Sequence, residues 1–70
     1  MSKRKFAMLR GAIHAKYGTQ EAFADAMGMR ISTLSAKLNG RSEWTKSQIK
    51  LACELLEISL EEVYLYFFAD

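Results

Sequence analysis

Seventy residues suffice for one small domain, because independent domains begin at roughly 50 residues and a chain this short buries only about 60% of its unfolded surface. Half of the residues are hydrophobic and none is proline, and apolar positions recur at three- and four-residue intervals, which favours short amphipathic helices over strands. The expected class is all-α. No apolar run approaches the roughly 20 residues of a membrane span, and the start MSKRKF lacks the apolar stretch of a secretory signal, so a cytoplasmic protein with no membrane partner is expected.

The net charge of +2 is unevenly spread. Residues 1–50 carry all ten Lys and Arg against three acids (Glu21, Asp25, Glu43), a net +7, while residues 51–70 carry five acids and no Lys or Arg, a net −5. A polyanion is attracted to the first part and repelled by the second; the plainer reading is a solvated surface whose charges segregate. The single cysteine, Cys53, cannot form an internal disulfide and reads as a small buried hydrophobe. His14 has no companion at metal-ligand spacing, so neither metal nor cofactor is expected. An enzyme is not expected either, since there is no acid pair with a nearby base, no nucleophile triad and no glycine-rich phosphate loop.

In chain order, a first helix is expected from Lys5 to Lys16, with Phe6, Leu9, Ile13 and Tyr17 along one face; Gly18 ends it. The basic residues before it, within 1–4, read as a backbone-following arm or as a loose terminus. Thr19 is a good N-cap for a second helix, Gln20 to Met27, with Glu21 favourably placed near its positive end. Phe23 and Met27 share its inner stripe, and Gly28 is suited to a left-handed closing turn. A third helix, Ile31 to Asn39, buries Leu34 and Leu38 and stops at Asn39-Gly40.

Thr45 and Gln48 then form a capping box, with Trp44 and Ile49 placed as a hydrophobic staple. The fourth helix starts at Lys46 and turns Ile49, Ala52, Cys53, Leu55 and Leu56 inward. The same devices recur with Ser59 and Glu62, flanked by Ile58 and Val63, and open a fifth helix, Leu60 to Phe68. Val63, Tyr64 and Phe67 are expected in the core. Leu65, Tyr66 and Phe68 are left over for a protein contact, of which a homodimer is the expected form.

Ala24 permits close helix approach, Gly28 the turn, and Met29 and Leu34 plug the angle, which together give a helix-turn-helix. The run Gln20-Glu21-Ala22-Phe23-Ala24-Asp25-Ala26-Met27-Gly28-Met29, with Thr33-Leu34-Ser35 and Asn39-Gly40, resembles the lambda-repressor and Cro family. Leu9-Arg10-Gly11, Lys16-Tyr17-Gly18-Thr19-Gln20 and Lys37-Leu38-Asn39-Gly40 are similar in particular to small Cro-like regulators of phages of Gram-positive bacteria.

The resemblance implies a single five-helix DNA-binding domain over 1–70 that acts as a transcriptional repressor on double-stranded operator DNA. It places base readout on Arg30, Ile31, Ser32, Thr33, Ala36 and Lys37, with arginine suited to guanine and Ile31 to a thymine methyl. Ile31 is equally read as tucked against Trp44 or Leu34. Gln20, Asn39, Arg41, Ser42, Lys46 and Lys50 would contact phosphates; for Lys46 and Lys50 the alternative is solubility.

A dimer would span two half-sites about 34 Å apart, with Leu65, Tyr66 and Phe68 at its interface. Two departures stand out: Arg30 replaces the usual Ser or Thr cap, and Leu38 follows Lys37 where the pattern puts the apolar residue one step earlier. The alternative reading is an interaction protein that modulates another repressor by binding it, with weak or no DNA affinity of its own.

Overall fold

The helix-breaking and capping residues set the architecture of the computed structural model, which describes residues 5–68. The helices are α1 (Ala7–Tyr17), α2 (Gln20–Met27), α3 (Ile31–Leu38), α4 (Lys46–Leu56) and α5 (Val63–Phe67), with a 3-10 turn at Leu60–Glu62 leading into α5. The described residues are all-helical, without strands. The basic arm expected within residues 1–4 lies outside them.

α1 begins two residues later than expected because Phe6 adopts a left-handed conformation (φ 57°). This places its ring 6.3 Å from that of Trp44, edge to face. Trp44 meets Phe67 at 5.2 Å in the same manner, so one indole joins the start of α1 to α5 through quadrupole-favoured contacts.

The α2 boundaries follow directly from its caps. Thr19 Oγ1 accepts from the Ala22 amide at 3.1 Å. At the far end Gly28 takes φ 74°, its N–H donates to Asp25 O (3.0 Å), and Met29 N–H donates to Ala24 O (2.9 Å). Those two crossed bonds satisfy carbonyls that the helix end would leave unpaired. α3 closes in the same way around Gly40 (φ 79°), with Gly40 N–H to Lys37 O and Arg41 N–H to Ala36 O.

α4 opens with the expected capping box, Gln48 N–H to Thr45 Oγ1 at 3.1 Å and Thr45 N–H to Gln48 Oε1 at 3.0 Å. It closes on Glu57, whose φ of 57° is that of a glycine-like cap, and Ile58 N–H returns to Cys53 O. Glu57 also accepts a hydrogen bond from Lys16 Nζ at 2.6 Å, joining the ends of α1 and α4. That bond and the neighbouring positive charge hold the Glu57 carboxyl below the usual carboxylate range.

The core draws on every helix: Leu9 and Ile13, Phe23, Ala24 and Met27, Leu34 and Leu38, Ala52 and Leu56, Ile58, and Phe67. α1 packs on α2, α4 and α5, and α2 packs on α3 and α4. Ala24 is buried where the second and third helices converge, Leu34 is fully buried, and Met29 packs partly against the core.

The expected fifth helix is not continuous. Glu62 Oε1 accepts from both the amide and the hydroxyl of Ser59, and Glu62 N–H returns to Ser59 O at 2.9 Å. That three-residue spacing tightens the first turn, and α5 proper begins only at Val63. Tyr64, expected in the core, is 64% exposed, and Tyr66, assigned to a surface contact, packs against the core instead.

Candidate functional site

The outward-facing start of α3 carries Arg30, Ile31, Ser32 and Thr33, all exposed. Arg30 gives the helix no side-chain cap, consistent with the weaker cap its identity implies. Ile31 is 39% exposed, so part of its side chain is open to solvent. Ala36 is half-buried.

Lys37 departs from its expected role as a base reader. Because Leu34 and Leu38 both fix the pitch of α3 against the core, Lys37 is carried inward and is 4% exposed. Its ammonium donates to Glu43 O at 2.8 Å and more weakly to Ser42 Oγ at 3.4 Å. It also lies 6.0 Å from the centre of the Trp44 ring, within cation–π range. A cation committed to these partners fastens the loop after α3; it is not available to a base edge.

Other expected contact residues are also engaged within the chain. Asn39 accepts from Arg10 Nη2 at 2.9 Å and donates to Ser35 Oγ at 3.3 Å. The same Arg10 nitrogen donates to Leu38 O at 2.8 Å, satisfying a carbonyl at the end of α3. Gln20 is half-buried, while Arg41, Ser42, Lys46 and Lys50 are exposed. Leu65 and Phe68 are exposed as the surplus of apolar residues predicts.

A second surface lies between α4 and the segment after Glu57. Lys46, Ile49, Lys50, Cys53 and Glu54 recur along one flank of α4 at helical spacing, and Ile58, Leu60, Val63 and Phe68 face them across an open groove of about 800 Å³. Leu60 is 91% exposed and Phe68 is 56% exposed. Cys53, expected in the core, is half-buried in this groove, and burial pushes its thiol pKa up.

The resemblance singled out both lysines, as phosphate contacts, and the surplus of apolar residues singled out Phe68, but neither pointed to the groove, whose second wall depends on how the segment after Glu57 folds back. Among the described residues no three His, Cys, Asp or Glu side chains gather where they could hold a metal ion. No described helix is long and apolar enough to cross a membrane.

Residues 3–70 match the family described as "Protein of unknown function (DUF739)". The chain belongs to the DUF739 family. The same fold occurs in the solution structure of the modulator of repression (MOR) of the temperate bacteriophage TP901-1 from Lactococcus lactis. The two are 38% identical, with a TM-score of 0.83, over 93% of this chain and 88% of that one. No curated protein matches.

These findings support a small all-helical phage-type protein and correct the functional expectation. Neither match is a Cro-like helix-turn-helix family, and the likeness of this DUF739 chain to a modulator of repression overturns the reading as an operator-binding repressor. The α2–turn–α3 geometry is set by caps and core, and carries no information about what its outer residues touch.

Proposed function

We propose that this DUF739 protein modulates repression by binding a repressor protein, acting in the cytoplasm by occupancy with no chemistry of its own. The likeness to the phage modulator of repression, 38% identical over 93% of the chain, carries this reading. The surface agrees with a protein target. Leu60, Tyr64, Leu65 and Phe68 are exposed large apolar or aromatic residues, whose burial against a partner is favourable at about 25 cal/mol per Å² before the costs of association. At the start of α3, by contrast, Arg30 is the one cation among the exposed residues 30–33.

The test is to titrate the purified repressor of the genome that carries this gene onto its operator duplex, with and without this chain. A stoichiometric complex of the two proteins and at least a threefold change in the repressor's operator midpoint are expected. An unchanged midpoint with no complex at micromolar concentrations refutes the proposal.

A further inference from the structure

We propose that the groove between α4 and α5 receives an amphipathic helix of the repressor, its apolar stripe over Ile49, Cys53 and Val63 and its acidic residues facing Lys46 and Lys50. This rests on the reading of the chain as a repressor-binding modulator. The α4 wall runs from Lys46 to Glu54, a rise of about 12 Å at roughly 1.5 Å per residue, which matches roughly two turns of a docked helix. Helices seated in such grooves are anchored by apolar residues three and four positions apart, the spacing that Ile49 and Cys53 present from the other side.

Charge selects the occupant. Lys46 and Lys50 stand one turn apart on the rim, both exposed, and neither has an acidic partner among the described residues. Lys46 also opens the first turn of α4, where the helix dipole adds positive potential. Glu54 marks the other end of the same wall. The complementary helix therefore carries two acids about four residues apart at one end and none beside Glu54.

A second copy of this chain is a poor match. Its own acids at that spacing within a helix, Glu21 and Asp25 on α2, are accompanied on the exposed face by Ala22 and Ala26 alone, which offer no large apolar anchor.

The test uses the full chain and the purified repressor of the same genome. Affinity is measured by calorimetry for the wild type, Leu60→Arg, the double variant Lys46→Glu/Lys50→Glu, and Ile31→Ser as a control on the α3 surface. Leu60 is so exposed that its substitution leaves the fold intact, which far-UV circular dichroism checks. Alkylation of the single cysteine by iodoacetamide, with mass spectrometry as the readout, reports directly on whether the groove is covered.

At least tenfold weaker binding is expected for Leu60→Arg and for the double variant, with Ile31→Ser within twofold of wild type and Cys53 alkylated at least fivefold more slowly in the complex. A complex whose affinity survives Leu60→Arg and whose Cys53 reacts at the free rate overturns the groove assignment while leaving the repressor-binding function standing. Protection of Cys53 that grows with protein concentration without repressor overturns it in favour of a second copy. Absence of any complex removes both the groove assignment and the function beneath it.

Discussion

Replacing Lys37 by methionine tests the structural role that burial assigns to this cation. Methionine keeps the aliphatic stem between α3 and Trp44 and removes the ammonium, so the bond to Glu43 O at 2.8 Å and the cation–π contact at 6.0 Å are lost together. A hydrogen bond from a charged donor contributes about 1.5–3 kcal/mol, and a cation–π contact at the outer limit of its range about 0.5–1. Against these stands the relief of no longer withdrawing an ammonium from water, a cost that accompanies any buried charge.

The net expectation for Lys37→Met is a loss of about 1–2 kcal/mol, which in a domain of this size lowers Tm by roughly 4–16 °C. Urea unfolding monitored by far-UV circular dichroism measures it without relying on the fluorescence of Trp44, whose surroundings the substitution alters. Arg30→Met, at an exposed cation just before the same helix, serves as the control and should change stability by less than about 0.5 kcal/mol. Equal effects at the two positions would refute the inward role of Lys37.

Gly28→Ala places a Cβ in open space but at φ 74°, so conformational strain alone acts and a loss of about 1 kcal/mol is expected in urea unfolding; a loss above roughly 3 would reveal a packing role. Thr45→Ala removes the oxygen that accepts from the Gln48 amide and should cost about 1 kcal/mol, measured as a lowered urea midpoint. Burial disfavours the Cys53 thiolate, so at any pH below its folded pKa less of it is ionised than of an unburied thiol. The pH profile of its alkylation should therefore be displaced upward from that of a cysteine peptide, and denaturation should abolish the displacement.

Local signals in the sequence were legible wherever a backbone group needs a specific partner. The second helix runs from Gln20 to Met27 both as expected and as observed, because Thr19 and Gly28 supply its two ends within a few residues. The capping box at Thr45 and Gln48 was legible for the same reason.

Positions governed by tertiary partners were not. Lys37 finds its acceptor on the Glu43 backbone, and a carbonyl has no sequence signature. Tyr64 and Tyr66 exchanged roles because either can share a helical face with Val63 and Phe67, and spacing along the sequence does not choose between them. The groove was hidden because its second wall, carrying Ile58, Leu60, Val63 and Phe68, is in place only once the chain after Glu57 folds back against α4.

The functional misreading has a related origin. Thr19, Ala24, Gly28 and Leu34 dictate two helices and the angle between them, and the runs that carry the lambda-repressor resemblance include these capping and packing residues. What the molecule meets is decided by side chains outside that set.

The eleven core residues and the outward residues Arg30, Ile31, Ser32, Thr33, Leu60 and Phe68 form separate sets. Substitutions at such outward positions ordinarily shift stability by less than about 0.5 kcal/mol. What the surface recognises can therefore be changed at those positions while the interior, and with it the fold, stays as it is.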